Sequence, residues 1–186
     1  MNKAVNISAI AAAVFLAIAG QALAHEPKVD GCDAASPDIA LELAVMRSPA
    51  IPVTAVSGKD SPYPELQLDK HYAISLIAQS DLEFPAKPRR SARNQAPRGG
   101  ILRFEVPAAG RYRISTTSRH WIDVVDGKSV VTSASHEGPE CEILHKIVEF
   151  DLPAARPLTL QISGRDDAII GLAITLSPTA PKQDSK

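Results

Sequence analysis

Aromatic side chains are scarce in this chain: one tryptophan, three tyrosines and four phenylalanines among 186 residues. A polyanion site or a polysaccharide-working surface draws on several exposed rings, and so few leave little material for either. Charge of one sign is also missing. Twenty Lys and Arg stand against twenty-one Asp and Glu, with no long block of either, which argues against nucleic acid or an anionic membrane as the main partner. The nearest thing to a basic patch, "KPRRSAR" from Lys87 to Arg93, reads as a solvated loop. No G-x-S-x-G elbow, P-loop or dinucleotide fingerprint is present, so neither an activated serine nor a phosphate cradle is announced. The serines near histidines, Ser118, Ser133 and Ser135, are what any polar loop offers.

Cysteine is limited to Cys32 and Cys141, which do not form a CxxC redox pair. The chain starts with Lys3, then an uncharged run whose apolar part, Ile7 to Ala19, ends near Ala22-Leu23-Ala24. Small residues at the two positions a signal peptidase inspects mark residues 1–24 as a cleaved export signal. That run is shorter than the roughly 20 residues a membrane span needs. No later run approaches that length, so a soluble periplasmic protein without a membrane span is expected. In an oxidising compartment two cysteines imply one Cys32–Cys141 disulfide. It would close a long loop and remove about 4 kcal/mol of unfolded-state entropy.

From Lys70 onward short runs alternate apolar and polar residues, separated by proline, glycine or charged turns. "HYAISLIAQ" aligns Tyr72, Ile74 and Leu76; "ILRFEV" aligns Leu102, Phe104 and Val106; "RYRIST" sets Tyr112 and Ile114 against Arg111 and Arg113. The last two runs, joined by "PAAG", read as a hairpin. "HWIDVV" and "SVVTSA" flank Asp126-Gly127-Lys128, a second hairpin signal. "KIVEFDL" presents Val148, Phe150 and Leu152 to a core and Glu149 and Asp151 to water; "LTLQIS" and "AIIGLAITL" complete the set. Gly171 in the last run marks a bulge or a close backbone approach.

The spacing predicts an all-β fold: an antiparallel β-sandwich, jelly-roll-like, of about eight strands over residues 70–177. Residues 25–69 read as an N-terminal arm and proline-rich connector. In the arm, "SPDIALELAVM" reads as a short helix capped by Ser36 with Pro37 first, or as a strand, and leans to helical or irregular. Residues 178–186 have the composition of a disordered tail.

The runs "DLEFPAKPRR", "GGILRFEVPAAGRYRIS", "WIDVVDG", "SHEGPECE", "KIVEFDL" and "LTLQISG" resemble a family of small exported bacterial proteins of unassigned activity. The resemblance covers residues 72–176. Some members carry the name homogentisate 1,2-dioxygenase, and the strand layout is also similar to prepeptidase C-terminal modules. The dioxygenase name implies ferrous iron on two histidines and a carboxylate. An iron enzyme of that kind is much larger and intracellular, and here His136 and Glu137 are adjacent, an offset that sends them to opposite faces of a strand.

Metal chemistry has one further opening. Cleavage after Ala24 would leave His25 as an N-terminal residue, whose amine and imidazole chelate Cu(II) when a second histidine joins. His120 and His136, with Glu137, are the candidate co-ligands, and His71 and His145 are further histidines in reach of the same idea. In "SASHEGPECEILHK", two histidines and three glutamates fall within fourteen residues. Gly138-Pro139 makes a turn, so His136 and Glu137 are expected on a loop and His145 in a strand between Ile143 and Ile147. Trp121 is either a core anchor or an exposed ligand contact. The sequence therefore reads as a disulfide-stapled, non-catalytic binding or envelope accessory module. Its partner would be a glycan, a peptide or an envelope protein, with a mononuclear copper or iron protein as the alternative.

Overall fold

Period-two alternation continues through the computed structural model, which describes Cys32 and residues 37–59, 62–90, 95–139 and 141–178. The expected export signal (residues 1–24), His25, Ser36 and residues 179–186 lie outside the described residues. Six strands lie in the first half: β1 (Ile51–Thr54), β2 (Glu65–Leu66), β3 (Tyr72–Ser75), β4 (Ile77–Ala78), β5 (Arg98–Phe104) and β6 (Gly110–Thr116). Six follow: β7 (Trp121–Asp126), β8 (Ser129–Val130), β9 (Ser133–Glu137), β10 (Lys146–Leu152), β11 (Leu158–Arg165) and β12 (Ile169–Leu176).

They form two sheets. The first has the order β1-β3-β12-β6-β10-β9, and the second β2-β5-β11-β7-β8 with β4 beside β5. The all-β sandwich-like expectation holds. The strand count does not: there are twelve among the described residues, not eight. The sheets are also mixed, because β1 pairs parallel with β3 and β2 parallel with β5. Of the four extra strands, β1 and β2 come from the stretch read as a connector, and the other two arise where an expected run divides. The connector's prolines kept its pattern from reading as strand, yet Pro52 sits in edge strand β1, where a missing N–H costs little.

Between the sheets, alternate residues of every long strand meet in one apolar cluster that includes Ile74, Leu102, Phe104, Ile114, Val124, Phe150, Leu160 and Ile174. One expected hairpin is absent. The β5–β6 connection is an arch, since β5 pairs with β11 in the second sheet and β6 with β10 and β12 in the first. "SVVTSA" is likewise divided, with β8 in the second sheet and β9 at the edge of the first. "HYAISLIAQ" is split in the same way into β3 and β4. Alternation fixes which face a residue presents and says nothing about which sheet the strand joins. The β7–β8 hairpin does form, with Asp126 paired to Ser129, so its two loop residues are Gly127 and Lys128. Only Gly127 has positive φ, +62°.

The helical reading of residues 37–46 is correct: a 3-10 turn, Pro37–Ile39, leads into α1 (Ala40–Met46). Seven residues are too few to be stable alone. Ile39 and Leu43 pack with Leu144, Ile147 and the Cys32–Cys141 disulfide, and Val45 and Met46 pack on Ala173. This helix covers the outer face of the first sheet, and it changes the fate of the residues expected in water there. Arg113 and Glu149 are directly paired across β6 and β10 and are both buried. Arg113 Nε donates to Glu149 Oε1 at 2.8 Å, and its Nη1 donates to the Asp38 carbonyl at 2.6 Å. Glu42, on α1, accepts from Thr175 at 2.9 Å and lies 3.5 Å from Arg113. Burial alone would raise the Glu149 carboxyl, but hydrogen bonds from Arg113, Ser135 and Ser177 hold it below the usual range.

Gly171 marks a close approach and not a bulge. It pairs in register with Ala73, and a Cβ there would stand 2.5 Å from Thr117 Cγ2 and 3.1 Å from Met46 Cε.

Candidate functional site

Among the buried polar side chains on the outer face of the second sheet, Gln161 on β11 and Asp123 on β7 are directly paired. They anchor a strap that crosses the sheet. Glu83 N donates to the Ser57 carbonyl, Ala86 N to Gln161 Oε1 at 2.9 Å, and Arg89 N to Asp123 Oδ2 at 3.2 Å. One residue further, the Arg90 guanidinium lies 4.8 Å from the Trp121 ring centroid. "KPRR" is a solvated loop as expected, with Lys87, Arg89 and Arg90 exposed, but it crosses the sheet and ends beside the one tryptophan.

Trp121 opens β7, half-buried, with Nε1 donating to Asp123 Oδ1 at 2.9 Å. On the neighbouring sheet Lys146 opens β10. Its ammonium also lies 4.8 Å from the Trp121 centroid and donates to the His120 carbonyl at 2.7 Å. Two cations on one indole use the negative face of its quadrupole. Around this group runs a cleft of about 410 Å³ lined by Arg90, Arg119, Trp121, His136, Glu137, His145, Lys146 and Arg165. Arg90, Trp121, His136 and Lys146 also line a smaller recess of about 60 Å³. Its floor is apolar, from Ile122, Val148 and Phe150, and Arg89, Asp123 and Ser133 complete its wall.

Electrostatically the cleft is unlike the rest of the chain. Arg89, Arg90, Arg119, Lys146 and Arg165 face it or its recess, against the carboxylates of Asp123 and Glu137, whereas the whole chain carries a net charge of −1. Burial pushes the Lys146 ammonium down to about 8; Asp123 opposes this, while Arg90 and Arg165 add to it. Burial also raises the Asp123 carboxyl, against hydrogen bonds from Arg89 and Trp121.

Among the described residues the expected metal ligands do not converge. His25 lies outside the described residues. His120 is fully buried, its Nδ1 2.8 Å from Ser118 Oγ and 3.7 Å from Asp167 Oδ2. Burial pushes it down to about 4, with Asp167 pulling the other way. Serine and aspartate meet the same ring nitrogen, whereas a catalytic triad needs them on opposite ones. His136 and Glu137 end edge strand β9 and are not on a loop; they pair with Val148 and Ile147, on opposite faces. His71 is 2.9 Å from the Ser48 carbonyl. Among the described residues no three His, Cys, Asp or Glu side chains come together as a metal set.

His145 is not a strand residue between isoleucines: residues 141–144 form a turn bridged from Cys141 to Leu144, and His145 precedes β10 and joins the cleft. Lys146, Asp123, Arg119 and Arg165 were not singled out from the sequence. The one signal that led here was the basic run ending in Arg89-Arg90, and its meaning depended on Trp121 lying beside it. Among the described residues no helix is long and apolar enough to cross a membrane.

No family model, no curated protein and no solved structure matches this chain.

Proposed function

We propose that this protein is an exported, non-catalytic binding module of the bacterial envelope that captures a small anionic ligand in the cleft beside Trp121. One observation carries the reading: five cations line the cleft and its recess against two carboxylates, in a chain of near-neutral charge. Desolvating a lysine and crowding it with arginines destabilises the free protein, and an anion offsets that cost. Trp121 serves as the organiser, holding Arg90 and Lys146 at its ring and leaning on Asp123. The fold contributes rigid sheet ends on which these groups stand. The export signal and the resemblance to small exported proteins support the envelope assignment.

Since Trp121 is the sole tryptophan, its emission reports on the cleft directly. Titration with inorganic phosphate and with acetate at low salt should give a saturable change that weakens as salt rises. Arg90→Ala combined with Arg165→Ala should weaken it by about tenfold or more, in keeping with charge-assisted hydrogen bonds lost from a desolvated site. A flat titration with every anion, in protein whose Trp121 emission is that of a half-buried indole, would overturn the reading.

A further inference from the structure

The cleft and its recess meet at Lys146, which lines both. From this geometry we infer that the occupant is a short 2-oxo acid, held reversibly as an imine on the Lys146 amine. The inference rests on the anion-binding reading and adds to it the identity of the ligand class.

Three features of the site correspond to three features of such a molecule. Arginines at the outer cleft, Arg90, Arg119 and Arg165, take a carboxylate. Ile122, Val148 and Phe150 floor a recess of about 60 Å³, which accepts a short apolar substituent and excludes a long one. Between them stands a primary amine, and the carbon that joins a carboxylate to a short apolar group in a 2-oxo acid is a ketone. A lysine that is desolvated or set next to other cations is the form of the residue that attacks carbonyls. Lys146 is part-buried, and the charged groups that act on it are Asp123 from β7, Arg90 from the strap and Arg165 from β11. Its contacts with the His120 carbonyl and the Trp121 ring hold the side chain across the mouth of the recess.

The step balances without an oxidant or reductant. The amine nitrogen's electron pair forms the bond to the ketone carbon, giving a carbinolamine. The ketone oxygen then leaves as water, carrying both amine hydrogens, and a carbon–nitrogen double bond remains. Hydrolysis reverses it and releases the ligand unchanged, so the chemistry is capture and not turnover.

The test is borohydride trapping on the full chain with pyruvate and with 3-methyl-2-oxobutanoate, followed by peptide mapping by mass spectrometry. The exposed Lys59 and Lys128 serve as internal references, and the urea-unfolded chain gives the background. The reduced adduct should fall on Lys146, exceeding the references by about tenfold or more, as expected of an amine activated by burial and like charge. Lys146→Arg should lose the adduct, whereas Lys59→Arg, at an exposed lysine outside the cleft, should keep both the adduct on Lys146 and the Trp121 fluorescence response to pyruvate. A saturable fluorescence response with no excess adduct at Lys146 would overturn the imine and leave anion binding standing. Absence of any response to pyruvate, phosphate or acetate would remove both. Adducts spread evenly over the three lysines would count as random modification and overturn the inference.

Discussion

Asp123 holds Trp121 through one carboxylate oxygen, Nε1 to Oδ1 at 2.9 Å, while its other oxygen accepts from the backbone of Arg89. One buried side chain thus fixes the indole and the strap that brings Arg90 to it. Asp123→Ala should cost about 1–3 kcal/mol in chemical denaturation, the penalty for unmaking buried hydrogen bonds. It should also shift Trp121 emission to the red as the strap loosens. An unchanged emission maximum would mean that the strap is held by Gln161 alone.

The Arg113–Glu149 pair lies beneath α1 with its guanidinium side chain 3 % exposed. Removing one partner of a buried pair leaves the other charge without compensation. Arg113→Met should therefore destabilise the protein by about 3–5 kcal/mol, measured by urea unfolding. A loss below about 1 kcal/mol is what an exposed pair gives, and would show that Glu149 is satisfied by Ser135 and Ser177 without the arginine.

The Cys32–Cys141 disulfide spans 109 residues. Chain closure of that length contributes about 4–5 kcal/mol, and here it also secures the cluster formed by Ile39, Leu43 and Ile147. Cys141→Ala, or reductant added to the native chain, should lower Tm by about 8–20 °C, given roughly 2–4 °C per kcal/mol at this size. Matching melting curves with and without reductant would count against any stapling role.

Stability should fall with acid through His120. Its native value, pushed to about 4 by burial, lies below the ordinary 6.5. The unfolded chain therefore takes up the proton first as pH drops. The stabilisation is complete above pH 6.5 and is lost between 6.5 and 4, a change of about 3 kcal/mol. Denaturation at pH 7 and pH 5 should show the fall, and His120→Gln should flatten it. An equal fall in that variant would rule out His120 as its source.

Local pattern and tertiary context divide the molecule unevenly. Alternation placed Leu102, Phe104, Ile114, Val148 and Phe150 in the core, because a strand's inward face is written in every second residue. The lone pair of cysteines stated the disulfide, and Ile39, Leu43 and Met46 recur at helical spacing. These are properties of neighbours along the chain, and the sequence determined them by itself. Which sheet each strand joins was decided by the tertiary structure, since an arch and a hairpin after β5 read alike. The burial of Arg113 and Glu149 depended on α1 returning from the N-terminal side to cover an outer face. The cleft is the extreme case: its groups come from residues 89–90, 119–121, 136–138, 145–146 and 164–165. Each is unremarked among its neighbours in sequence, and only packing the sheet ends together puts five cations around one cleft, two of them on its indole.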